Sequence, residues 1–467
     1  MKEYIFPTRI VKFENASNVE HLLKKVPLQI GTSDTEYAVF EKNSYVILDY
    51  GTELCGGIKV IVPSCDKNAK IRIRFGESVT ETCSTLGGEQ NATNDHSLRD
   101  FEVALPTCCS QTNFGDTAFR FVRIDFSEKT LIKCIAAENH ILKRKPVYTY
   151  EGKDELIKKI FDTAKRTIDL CASSGYMWDG AKRDRLVWIG DMHPQMLAIT
   201  TLYGASPEFE RSMVFAKKQT PLPNWINGYP MYSMWWITNV ADYYKKTGRK
   251  EFTRRQISYV EGIVDLMLSC VKENGELNYP SYYVDWPTSN TPDELHGVRA
   301  INVMAAKNAI MLLGEFNKDT SKANELLNRL QKQQIAPASS KSALGLKFFA
   351  TDLTEQDKQN LVAYGAKGIT CFMSYYILKA VASFDKQMAI NMLKEYFGAM
   401  LSKGATTFWE DFSIDWVEGS STIDDFPKEN EKDIHGDFGG YCYKGFRHSL
   451  CHGWSAGIIQ FIKEECE

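Results

Sequence analysis

Asp154-Glu155-Leu156-Ile157-Lys158-Lys159-Ile160-Phe161-Asp162-Thr163-Ala164-Lys165-Arg166-Thr167-Ile168-Asp169-Leu170-Cys171-Ala172 is where the texture of this chain changes. Leu156, Ile157, Ile160, Phe161, Ala164, Ile168 and Leu170 recur at helical spacing and form one apolar stripe. Upstream the period is 2. Tyr45-Val46-Ile47-Leu48-Asp49-Tyr50 alternates and ends at Gly51, and the segments 57–63, 70–76 and 119–126 alternate likewise between Gly, Pro, Asn and Asp punctuation. That pattern predicts an antiparallel β-sandwich over residues 1–148, with one face of each sheet wet. Downstream, helical stretches are expected near 192–203, 207–218, 232–246, 252–271, 296–316, 320–333, 354–363, 369–382, 386–401 and 447–463. Roughly eleven helices without intervening strands exclude an alternating α/β fold, and the absence of a fixed repeat disfavours a solenoid. A closed ring of paired helices over 149–467, with functional loops at one end, is the expectation.

Composition narrows the class. The chain has 467 residues, 56 Lys+Arg against 59 Asp+Glu, and a net charge of −3, so nothing in its charge marks a nucleic-acid or anionic-membrane partner. No apolar run reaches the length of a membrane span. The N-terminus, Met-Lys-Glu-Tyr-Ile-Phe-Pro, lacks the apolar core of a secretory signal, which predicts a cytoplasmic protein for the chain as given. Twelve cysteines without paired CxxC spacing read as buried thiols rather than a zinc site. Aromatic residues make up 12%, with nine Trp, which fits a large core or a sugar-lined cleft.

Chemistry concentrates in two loops. Trp178-Asp179-Gly180-Ala181-Lys182-Arg183-Asp184-Arg185-Leu186-Val187-Trp188-Ile189-Gly190-Asp191 packs acids, bases and tryptophans between two helices. Asp191 fits a helix cap; the remainder reads either as a salt-bridged loop or as a polar pocket with a Trp wall. Gly404-Ala405-Thr406-Thr407-Phe408-Trp409-Glu410-Asp411-Phe412 places a Glu in an aromatic surround, where it is costly unless paired or used. Two carboxylates from distant loops, one protonated and one ionised, are what glycoside hydrolysis needs. His452, beside Cys451, reads as a hydrogen-bonding pocket histidine. Trp236 and Trp286 are candidates for stacking on a sugar ring.

These segments carry a resemblance. The run from Asp179 through Arg183-Asp184-Arg185-Leu186-Val187-Trp188-Ile189-Gly190-Asp191 resembles the signature of family 78 glycoside hydrolases, the α-L-rhamnosidases. Thr406-Thr407-Phe408-Trp409-Glu410 resembles that family's Thr-Thr-x-Trp-Glu motif, and Ser449-Leu450-Cys451-His452 its Ser-Leu-x-His motif, in the same order. Leu48-Asp49-Tyr50-Gly51 and Phe119-Arg120-Phe121-Val122-Arg123 resemble its preceding β module. The resemblance implies an (α/α)6 barrel and an inverting mechanism, with Asp184 as general acid and Glu410 as general base. It implies that Asp179, Arg183, Trp188, Asp191 and His452 hold the sugar. Two departures stand out: Asp184 occupies a place where most members have Glu, and no C-terminal β domain follows, so a minimal form is expected. Alternatives are a same-fold hydrolase of another sugar and a catalytically silent carbohydrate-binding relative. For Asp184 to act as an acid, at least one of Arg183 and Arg185 is expected to point away from it. No metal or organic cofactor is expected, since Asp424, Asp425 and Asp437 lack the alternating spacing of a calcium loop.

Overall fold

The computed structural model describes residues 3–84, 99–332, 338–440 and 445–467. Its N-terminal part is an antiparallel sheet of eight strands: β1 Glu3–Ile5, β2 Arg9–Ser17, β3 Ala38–Cys65, β4 Lys70–Gly76, β5 Asp100–Ala104, β6 Cys108–Phe126, β7 Thr130–Ile132 and β8 Cys134–Asn139. The order is β1-β8-β3-β6-β4-β5, with β2 and β7 also on β3. The alternating segments at 45–50 and 57–63 are two arms of the single strand β3. A register shift between Asp49 and Leu54, with Gly51 at φ 80°, bends the strand without ending it. The bend carries β3 back on itself: Val39 and Ser64 both pair with Leu131. Inside the fold lie Val46, Leu48, Val60, Ile73, Phe119, Val122 and Ile124, with β6 buried on both faces over 117–122.

Helices follow: α1 Glu155–Cys171, α2 Met192–Tyr203, α3 Pro207–Gln219, α4 Pro230–Thr247, α5 Lys250–Arg254, α6 Ile257–Cys270, α7 Glu294–Glu315, α8 Ser321–Leu330, α9 Lys341–Ala350, α10 Glu355–Val362, α11 Ser374–Ala382, α12 Lys386–Ser402 and α13 Ile458–Glu465. Asp154 caps α1 by accepting from the Leu156 and Ile157 amides, each at 3.1 Å. α2 packs on α4, α4 on α7, α7 on α9, α9 on α11, α11 on α13, and α13 returns to α2. Six helices thus close a ring. Ring helices are apolar nearly all round, every residue of α2 being buried, whereas α1 and α8 bury a single stripe.

Two expectations are corrected. No helix is predicted over 341–350, yet α9 is a ring helix there; lacking a polar face, it shows no stripe to read. The predicted helix over 447–463 is instead a 3-10 turn at Gly445–Arg447, an extended stretch, a second 3-10 turn at Gly453–Gly457, and the short α13. The extended stretch carries Ser449 to His452, so backbone amides that a helix would consume are left for other partners. The described cysteines are free thiols; Cys442 lies outside the described residues.

An arginine of a buried ion pair in the sheet also reaches the helical half. Arg120 of β6 bonds Asp49 of β3 through Nε at 2.8 Å and Nη2 at 3.0 Å, and donates from Nη1 to the Gly404 carbonyl at 3.1 Å.

Candidate active site

The loop between α1 and α2 is folded on itself and onto the last segment of the chain. The Asp179 amide donates to the Leu186 carbonyl at 3.1 Å, and the Leu186 amide returns to Asp179 Oδ1 at 3.0 Å. Gly180 bridges to His452, and the Gly453 amide donates to the Asp179 carbonyl at 2.7 Å. Within the loop Asp184 and Arg185 both take left-handed backbone, φ 54° and 47°. For non-glycine residues that conformation costs on the order of 1–3 kcal/mol each, and such strain clusters at functional sites.

Glu410 is gripped by the same final segment. Its amide donates to the Ser449 carbonyl at 2.9 Å, and its Oε2 accepts the Ser449 amide at 3.0 Å. The Trp454 indole donates to the Glu410 carbonyl at 2.9 Å.

These contacts bring Asp179, Asp191, Glu410 and His452 to the wall of one cavity of about 110 Å³. Aromatic rings make up the rest of the lining: Trp188, Tyr229, Tyr232, Tyr283, Trp286 and Trp454. Trp188 meets Tyr232 edge-on at 5.9 Å, and Trp286 meets Tyr283 at 5.5 Å. A larger cavity of about 420 Å³ between α7, α9 and α10 contains the ion pair Lys347–Asp357 and none of the residues singled out above.

Burial sets the charges. Asp179 and Asp191 are held well above the usual aspartate range, first by desolvation; then Asp184 and Asp191 act on Asp179, and Glu410 on Asp191. Glu410 is also raised, by burial first, against the opposing pull of Arg183. His452 is driven well below the usual histidine value by burial and then by Arg183, so it stands neutral at physiological pH. Its Nε2 lies 3.8 Å from Asp191 Oδ2 and 3.7 Å from Glu410 Oε1.

Six of the nine predicted residues therefore meet: Asp179, Trp188, Asp191, Trp286, Glu410 and His452. Arg183 and Asp184 do not line the cavity. Arg183 is buried with one guanidinium nitrogen on Asp184 Oδ2 and the other 2.5 Å from Glu410 Oε2, bridging the two carboxylates expected to do the chemistry. Arg185 does turn away, to Asp116 at 3.0 Å and over the Trp178 ring. Trp236 is a correction: it is fully buried in α4, donates to the Met213 carbonyl at 3.3 Å and packs edge-on to Tyr259. Asp191 is a second one. It holds the cap position of α2 with helical backbone angles and makes no side-chain cap bond, so its carboxyl is left to the cavity.

Sequence reasoning missed Tyr229, Tyr232, Tyr283 and Trp454. Only Trp454 carried a signal, two residues after His452. The tyrosines reach the cavity through the entry to α4 and the turn before α7, with no motif to mark them.

No family model matches the chain, and no curated protein matches it in sequence. Solved structures do resemble it. A rhamnosidase from Klebsiella oxytoca with rhamnose bound superposes with a TM-score of 0.79 at 19% identity, over 100% of this chain and 96% of that one. A family 78 rhamnosidase of Bacillus sp. GL1 gives 0.70 at 16% identity, over 95% of this chain and 48% of that one. The Streptomyces avermitilis α-L-rhamnosidase complexed with L-rhamnose gives 0.62 at 16%, over 98% and 44%. This chain thus spans nearly the whole of the first and about half of the other two. The shared feature is the fold: an antiparallel sheet followed by a helical part.

Proposed function

We propose that this chain is an inverting glycoside hydrolase of family 78, an α-L-rhamnosidase that releases terminal rhamnose from a glycan or glycoside. The observation that carries the reading is the cavity itself: three buried carboxyls and a neutral histidine share its lining with aromatic rings, in a fold shared with rhamnosidases. We read the helical ring as an (α/α)6 barrel and the bent sheet as a β-sandwich, with the domain boundary near residue 148, between β8 and α1. A cavity of about 110 Å³ suits one sugar ring, hence a chain end rather than an internal residue. Rhamnose is a 6-deoxy sugar, and its methyl group fits against Trp188 or Trp286 without leaving a buried polar group unpaired. Asp179, Asp191 and His452 would bond the ring hydroxyls, all three being buried in the cavity wall.

Glu410 is the general base, ionised and activating a water on the far side of the anomeric carbon. Asp184 is the general acid. In the resting arrangement it is ion-paired to Arg183, and a carboxyl in an ion pair donates no proton, so the entering glycoside must displace that contact. A second reading has an observation of its own: Asp179 lines the cavity and is held above the usual range by burial, so it can carry the proton without rearrangement.

The test is the fate of an aryl α-L-rhamnoside within a panel of aryl glycosides. The product's first-formed anomer, followed by NMR, should be the β form. Cleavage of another sugar alone, or α-anomer first, would reject the reading.

A further inference from the structure

We propose that Glu77, a carboxylate supplied by the sheet half of the molecule, is a positioning residue for Glu410, acting through the Ser449–Leu450 peptide. The inference rests on the reading of Glu410 as the base. Glu77 follows β4 and is fully buried. Its Oε2 accepts the Leu450 amide at 2.7 Å. The preceding amide, that of Ser449, donates to Glu410 Oε2 at 3.0 Å. Two carboxylates from opposite halves thus hold adjacent amides of one extended stretch, and the position of one constrains the other.

The grip is itself anchored. Lys182 Nζ lies 3.2 Å from Glu77 and 2.9 Å from Glu81, and donates to the His448 carbonyl at 2.9 Å. Arg99 pairs with the same Glu81 oxygen, Oε1, that faces Lys182. Glu77, Glu81 and His435 approach closely enough to surround a cation, and the Lys182 ammonium takes that place. Lys182 is also the residue before Arg183 and Asp184, so the same cluster ties down the loop that carries the proposed acid. Buried charges are tolerated only with such complete pairing.

The experiment compares the parent with Glu77→Gln and Glu81→Gln, by the pH profile of kcat/KM on an aryl α-L-rhamnoside and by melting temperature. In Glu77→Gln a neutral acceptor replaces the charged one, Ser449 shifts, and Glu410 loses part of its amide bond. Arg183, Asp184, Asp191 and His452 face Glu410 unchanged. With that donor weakened the ionised base is less favoured, so the acid limb moves to higher pH. kcat should fall on the order of 10- to 100-fold with KM little changed. Glu81→Gln breaks the same cluster without touching Leu450, and should lower the melting temperature while leaving the limb in place. If Glu77→Gln melts below the assay temperature, Glu77→Asp, which keeps the charge and shortens the reach, carries the same expectation at smaller size. An unmoved limb in the Glu77 variants, or an equal shift in Glu81→Gln, overturns the proposal while rhamnosidase activity stands. A parent inactive on rhamnosides overturns the functional reading and this inference with it.

Discussion

Arg183 is the residue on which the mechanism turns, because it touches both Asp184 and Glu410. If Asp184 is the acid, Asp184→Asn should lose most activity on glycosides with poor leaving groups and far less on activated aryl rhamnosides, since the latter depart with little protonation. Glu410→Gln should lose activity on all of them, with partial rescue by azide standing in for the water. Steady-state kinetics on a leaving-group series separates the cases; normal turnover of natural glycosides by Asp184→Asn, alongside a dead Asp179→Asn, moves the proton to Asp179. The pH profile follows from burial. As the proposed base Glu410 must be ionised, and burial raises its carboxyl above 4.5, so kcat/KM should fall as pH drops through a value above 4.5 rather than below it. A limb below that point in kcat/KM against pH would show that another group sets it.

At the scale of elements, the turn from the acidic loop into α2 leaves no room for a side chain. A Cβ on Gly190 would lie 2.2 Å from the Tyr232 ring, whose hydroxyl reaches Asp191 at 3.3 Å. Gly190→Ala should push that ring, cost about 1–3 kcal/mol in unfolding free energy, and raise KM by narrowing the cavity. A melting temperature and KM equal to the parent's would refute the packing argument. The same elements show what a sequence can carry. Strands wet on one face and helices with one dry stripe declare themselves by period, as α1 does. α9 has no wet face, so its period is silent. Motif-bearing residues were legible because carboxylates in aromatic surroundings are conspicuous. Trp236 and Trp286 were not separable, since one-dimensional order does not say which ring faces a cavity. Asp191 fitted two roles equally, and only its backbone angles and missing cap bond distinguish them.

For the whole molecule, Arg120 ties the sheet to the turn that leads into Glu410. Arg120→Ala should destabilise by about 3 kcal/mol, the lower end for a broken buried pair, because Arg9 still reaches Asp49 at 3.1 Å. Urea unfolding followed by tryptophan fluorescence measures it; a change under 1 kcal/mol would mean the two halves do not depend on this tie. The ring has a further implication for how the protein comes into being. It closes where α13 meets α2, and the cavity draws on Asp179 and Asp191 beside one edge of that seam and on His452 beside the other. Contacts between such distant parts of a chain form late, after the loop entropy between them has been spent. During synthesis the pocket cannot close until the segment carrying His452 has followed the loop carrying Asp179 and Asp191 off the ribosome, so fragments that stop before it emerge without one. Such fragments hold no half-built cavity for quality control to contain.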